Sequence, residues 1–195
     1  KKVEHVVMSK HQWAALDAWR AKHAQHPDAG KKARHVLLVS SVPLVHLRFG
    51  SGVELATRGR ELHDDLLDQW EASVHRGERT RMLMDLFSLA KKSCCAVTVV
   101  SGDVHVGARA LIRSRNPEHL MDGKPETTID QVTSSAIVHP PPSPLEFLGI
   151  RLLSKDGVED LPSFLQTEMM PVGPDLYLRE RNWLSLRVEP SHVTP

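Results

Sequence analysis

An α/β fold is predicted by three observations on the sequence. A capped, alanine-rich helix precedes an apolar β-branched run, and an amphipathic helix precedes a second such run. The second half then breaks into short β-type segments separated by proline and glycine. Helix and strand periods that alternate in this way call for a sheet layered against helices.

Each element has a local cause. Ser9-Lys10-His11-Gln12 has the S-x-x-Q form of a capping box, so a helix follows it, with Trp13, Leu16 and Trp19 stepping by three. Pro27 and Gly30 end that segment. His35 to Ser40 is a nearly continuous apolar run bounded by Pro43, which reads as a strand buried on both faces. Residues 61–72 are polar and acidic, equally consistent with a short helix or a loop. Beyond Gly77, Leu83, Leu86, Phe87 and Ala90 form an i, i+3, i+4, i+7 stripe. Lys91 and Lys92 close it at the negative end of the helix dipole. Ala96 to Val100 is a second buried strand, running into Ser101-Gly102-Asp103-Val104-His105. Strands are then predicted at Val106 to Ile112, Thr127 to Thr133, Phe147 to Leu153 and Leu176 to Val188. His139-Pro140-Pro141-Pro142-Ser143-Pro144 reads as an extended, polyproline-like loop.

Composition narrows the function. With 195 residues the chain is one compact domain or part of a larger one. Lys and Arg number 25 against 24 Asp and Glu, so the net charge of +1 gives no strong nucleic-acid signal and no attraction to an anionic membrane. No apolar run approaches the roughly 20 residues of a membrane span. Cys94 and Cys95 are adjacent and cannot form a disulfide framework, and such low cysteine usage fits the cytoplasm. The opening Lys1-Lys2-Val3-Glu4 has neither an initiator Met nor a leader pattern, which leads us to expect a start within a longer protein.

Two clusters could carry chemistry. In α/β folds the carboxyl ends of buried strands open onto the ligand crevice, and there a glycine precedes Asp103 and His105. Two apart in extended chain, these side chains project to one side and could reach one ion or two neighbouring ions. The plainer alternative is a strand-end turn capped by Asp103, with His105 a surface histidine. Upstream, Asp64, Asp65, Asp68 and Glu71 place four carboxylates within eight residues, which repel unless solvated or neutralised by a cation. Here the alternative is a solvated helix face, against which Trp70 argues. His63 and His75 flank the cluster and could donate to a phosphate. Arg76 and Arg79 offer phosphate-matching forks, although Glu78-Arg79 reads equally as a helix-start ion pair. His139 could line a pocket mouth, and Cys94 with Cys95 reads as a half-buried small apolar pair.

Asp68-Gln69-Trp70-Glu71, then Glu78-Arg79 opening an amphipathic helix, then a strand closing in Ser101-Gly102-Asp103-Val104-His105, resembles the C-terminal part of the PhoD-like alkaline phosphatases. These belong to the calcineurin-like metallophosphoesterase superfamily. The likeness begins near Ser9, with Gln12-Trp13 and Val39-Ser40-Ser41-Val42-Pro43 in order, and weaker echoes follow at Thr133-Ser134-Ser135 and Arg181-Asn182-Trp183. It implies a β-sandwich flanked by helices, a four-layer αββα arrangement incomplete at its N-terminus. Residues 1–195 would be the C-terminal part of a single such domain. It further implies two metal ions (Fe, Mn, Zn or Ca), a small phosphoester substrate and hydrolysis by metal-activated water. Asp68, Asp103 and His105 match the motifs as metal-site residues, with His105 and His75 as candidate catalytic groups. Glu71 stands where the family usually has Asp, no histidine precedes Pro43, and the early G-D and G-N-H-(D/E) motifs have no match in this sequence. The expectation is therefore a phosphoester hydrolase with part of its bimetal site outside the sequence given. The alternative is a truncated or degenerate module with a structural or protein-binding role.

Overall fold

The computed structural model describes residues 6–25, 34–46, 48, 69–102, 105–135, 140–154 and 157–187. Helix α1, Lys10–Ala24, starts on the predicted capping box: Ser9 Oγ accepts from Gln12 N at 3.3 Å, and Gln12 Oε1 accepts from Ser9 N at 2.8 Å. It docks through its N-terminal end and through Asp17 and Arg20, which pair with Arg81 at 3.0 Å and Asp85 at 2.7 Å. Trp13 is buried, whereas Trp19 stacks on His23 with ring centroids 5.1 Å apart. Glu78 explains the docking, because its carboxylate accepts from Val7 N, Met8 N and Trp13 Nε1 at 2.8 to 2.9 Å. The Arg81 guanidinium also lies 3.9 Å over the Trp13 ring.

Helix α2, Arg76–Ser93, lies on the connection between the first two strands. Its predicted stripe of Leu83, Leu86, Phe87 and Ala90 is buried, with Lys91 and Lys92 in the last turn. Cys94 caps it in the left-handed conformation at φ 45°, a position more often held by glycine. Cys94 is exposed and Cys95 buried, so the half-buried pair divides one to each side.

Among the described residues seven strands form one open sheet: β1 Arg34–Ser40, β2 Cys95–Ser101, β3 Gly107–Ser114, β4 Thr127–Thr133, β5 Glu159–Leu161, β6 Leu165–Met170 and β7 Tyr177–Leu178. The order is β1-β2-β4-β3-β6-β5, with β7 paired to the start of β3. The strands β1, β2 and β4 run parallel, and β3 runs antiparallel to β4, β6 and β7. One face carries Val97, Val99, Ile129, Ala110, Ile112 and Leu165 into the core beneath α2. The α/β class is as expected; what is described is a single mixed sheet with helices.

Several expectations are corrected. The first strand is not buried on both faces: Leu37 is 48 % and Val39 78 % exposed. It ends the strand order among the described residues, and its inward residues Val36 and Leu38 alone pack against the core. Phe147 to Leu153 is no strand but part of helix α3, Pro144–Leu153. The cause is a second capping box, in which Ser143 N donates to Glu146 Oε2 at 2.7 Å and Glu146 N to Ser143 Oγ at 3.3 Å. Leu176 to Val188 reduces to β7, and the chain continues to residue 187 without regular structure. The β5–β6 hairpin escaped prediction because its turn places Ser163 and Phe164 at φ 65° and 60° without the usual glycine or asparagine. Residues 140–143 of the expected proline loop have no regular structure, but Pro144, read as its last residue, opens α3; His139 lies outside the described residues, as do Pro27, Gly30 and residues 61–68.

Candidate active site

The ends of β2 and β4 meet side by side. Ser101 and Thr133 are register partners, their buried hydroxyls are 2.9 Å apart, and Ser134 N donates to Ser101 O at 3.0 Å. Because β4 lies between β2 and β3 in the sheet, the connection from Ser101 to Gly107 bridges the C-terminal end of β4. His105 sits on that connection, exposed and left-handed at φ 57°, and Val106 beside it is fully buried.

The structure brings the two weaker sequence echoes to the same place. Asn182 Oδ1 accepts from Ser134 Oγ at 3.1 Å and from Ser135 N at 3.0 Å, while its Nδ2 donates to Ser135 Oγ and Glu180 O, both at 3.1 Å. Ser135 Oγ donates to Glu180 O at 3.2 Å. The carboxamide also presses on the start of β3: a Cβ added at Gly107 would stand 2.6 Å from Asn182 Nδ2. Thr133-Ser134-Ser135, Asn182 and the start of β3, two residues after His105, thus form one contact set.

Behind it lies a buried clamp. Leu44, Val45 and His46 leave β1 as irregular backbone yet are at most 2 % exposed, so their polar groups must be satisfied internally. Gln131 Oε1 accepts from Leu44 N at 2.9 Å and Val45 N at 3.1 Å, and its Nε2 donates to Val45 O. Arg79 Nε donates to Leu44 O at 2.9 Å, and His46 N donates to Glu71 Oε1 at 3.1 Å. Arg79 also reaches Glu71 Oε2 at 2.7 Å and Glu159 Oε2 at 3.0 Å. Arg79 is therefore not a phosphate fork and does not pair with Glu78. Its guanidinium is taken by the buried Glu71 carboxylate and the partly buried Glu159, while Glu78 pins α1.

Burial drives the titration of this clamp. Glu71 is pushed up to about 7 by loss of solvent, with Arg79 opposing and Glu159 reinforcing the rise. His46 is pushed down to about 4, again by burial; its ring faces the Val106 backbone without a well-aligned hydrogen bond and tilts against Tyr177 at 5.7 Å. Glu71, the residue departing from the family pattern, is Arg79's partner in the interior.

Of the residues predicted for the site, His105 is at the strand-end cluster. His75 is buried in the 3-10 turn Ser73–His75 that leads into α2, its Nδ1 3.9 Å from Glu78 Oε2. Trp70 is buried, in keeping with the argument against a fully solvated acidic face. Asp68, Asp103 and His63 lie outside the described residues. Among the described residues no three His, Cys, Asp or Glu side chains gather to hold a metal ion, so the described part of the expected donor set is the His105 imidazole. Reading by residue type missed Gln131, His46 and Glu159. The signal for Gln131 was its inward position in the alternating Thr127 to Thr133 strand.

No solved structure matches this chain. The chain is 32 % identical over 98 residues to the uncharacterized protein YGR266W of Saccharomyces cerevisiae, a match covering 42 % of this chain and 14 % of that protein's length. Residues 51–158, running from before the Asp68 cluster through Ser101 to His105 and β4 up to the residue before β5, match the PhoD related phosphatase family. That span is more than half of the chain, and with the strand-end motif inside it the chain belongs to the PhoD related phosphatase family.

Proposed function

We propose that residues 1–195 are the C-terminal part of a single metallophosphatase domain that hydrolyses small phosphoesters, with Asp68, Asp103 and His105 as its ligands to two metal ions. The domain would be the helix-flanked β-sandwich of the calcineurin-like fold, and the sheet described here one of its layers. The observation that carries the reading is the gathering of Ser101-Gly102, His105, Thr133 to Ser135 and Asn182 at one sheet end, within a chain of a phosphatase family. Aspartate and histidine donors suit Fe, Mn, Zn and Ca alike. Such ions, when bound, polarise the phosphoryl oxygens and acidify a bound water.

This chain's own groups have narrower tasks in that reading. His105, exposed on the connection between β2 and β3, is placed to hold or pass a proton at the phosphoester. His75, buried against Glu78, acts only through neighbouring groups. The free adjacent thiols Cys94 and Cys95 support a reducing, cytoplasmic setting. No described helix is long and apolar enough to cross a membrane.

The full-length protein is expected to carry about two metal equivalents by elemental analysis. Asp103→Asn should lose metal and hydrolysis of a chromogenic phosphoester together. Hydrolysis that survives this change, or a full-length protein without metal, overturns the reading in favour of a non-catalytic module. The 195-residue chain alone is expected to show little or no turnover.

A further inference from the structure

We infer that Asn182 is a positioning residue that fixes the turn bearing His105, by wedging its carboxamide between the start of β3 and the end of β4. This rests on the hydrolase reading above for its consequence in catalysis, but the geometry stands apart from it.

Asn182 belongs to a segment without regular structure, yet its side chain uses both amide atoms fully. Oδ1 accepts from Ser134 Oγ and Ser135 N, and Nδ2 donates to Ser135 Oγ and Glu180 O. An irregular segment held this way has one defined position. That position is against Gly107, where β3 begins two residues after His105. At Gly107 the glycine is needed for space, since any β-carbon would meet the Asn182 amide at 2.6 Å. On the other side, Ser134 N is bonded to Ser101 O, the last strand residue before the turn. The carboxamide therefore packs on the start of β3 and bonds Ser134 and Ser135, whose own backbone holds the end of β2. The left-handed backbone of His105, which side chains other than glycine adopt at a cost, needs such support from its surroundings.

The test is a double-variant cycle in the full-length protein, with Asn182→Ala, Gly107→Ala and both together. Asn182→Ala is expected to lower kcat about 10- to 100-fold with KM within about twofold, the size of effect that slight misplacement produces. Gly107→Ala drives a methyl group into the amide and should be worse. The pair, with the clash removed, should recover to the level of Asn182→Ala alone. A second readout is the imidazole NMR signal of His105, expected to move in Asn182→Ala and Gly107→Ala while that of His119 stays. An Asn182 that only stabilises the fold would lower the unfolding midpoint and leave kcat and the His105 signal unchanged, which overturns the inference. So does a double variant no better than Gly107→Ala. If the full-length protein hydrolyses no phosphoester, the hydrolase reading fails, and the His105 signal alone decides the positioning claim: movement supports it and constancy overturns it.

Discussion

Glu71 and His46 share a hydrogen bond and titrate in opposite senses. Glu71 rises from 4.5 to about 7 on folding, so the native state binds its proton more tightly than the unfolded chain. Its stabilising contribution is full below pH 4.5 and fades as pH rises through about 7. His46 falls from 6.5 to about 4, so its contribution is full above pH 6.5 and is lost as pH falls through about 4. Between these limits the two slopes oppose. Urea midpoints followed against pH should show Glu71→Gln abolishing a loss of up to about 3 kcal/mol on the rising side, and His46→Phe flattening the acid side. Wild-type and variant profiles that run parallel would refute both assignments. Arg79→Met leaves the Glu71 carboxylate buried without its paired cation, while Glu159 keeps Arg48 at 3.7 Å, and should cost about 3 to 5 kcal/mol, of which adding Glu71→Gln should recover part. Equilibrium unfolding of the single and double variants measures that coupling.

Helix α1 is held to α2 by different groups at its start and at its middle. Glu78 holds its start through two backbone amides and the Trp13 indole, whereas farther along Asp17 pairs with Arg81 at 3.0 Å and Arg20 with Asp85 at 2.7 Å. Hydrogen bonds to an ionised group are worth about 1.5 to 3 kcal/mol each. Glu78→Ala is therefore expected to speed amide hydrogen exchange at Val7 and Met8 and through the first turns of α1, with the amides of β2 and β4 still protected. Uniform acceleration across the sheet would show that α1 is integral to the cooperative core. The strand β1 packs on one side only. Val39→Lys should change stability by no more than about 0.5 kcal/mol, whereas Val99→Ala, at a fully buried position of the neighbouring β2, should cost about 1 to 3 kcal/mol. Comparable losses from the two changes would contradict the one-sided packing of β1.

In the molecule as a whole the parallel and antiparallel parts of the sheet have different outer faces. The antiparallel part is covered by ion pairs, Arg109 with Asp130 and Arg113 with Glu168, each at 2.6 Å, whereas the parallel part presents Leu37 and Val39. The two parts meet at β4, the strand whose C-terminal end is bridged by the His105 connection and whose Gln131 holds Leu44 and Val45. Gln131→Leu would leave three buried backbone groups without partners, so a loss of about 2 to 4 kcal/mol in equilibrium unfolding is expected. A loss below about 1 kcal/mol would mean that the 44–46 backbone finds other partners.

The sequence by itself determined the elements with strong local causes. The Ser9 capping box, the Leu83 to Ala90 stripe and the β-branched runs need only neighbours within a turn or a strand, so α1, α2, β2 and β4 were legible from spacing. It also carried the strand-end motif that places the chain among phosphatases. The capping box at Ser143 is equally local, although Phe147 to Leu153 reads by residue type as a strand. What the tertiary structure alone decided concerns partners far apart in the chain. Arg79 as an internal cation between Glu71 and Glu159, Gln131 as the clamp on Leu44, and Asn182 against Gly107 each join residues 8 to 87 positions apart. The reason is physical: a polar side chain reads the same in sequence whether water or a buried backbone satisfies it, and only the packed fold selects between them.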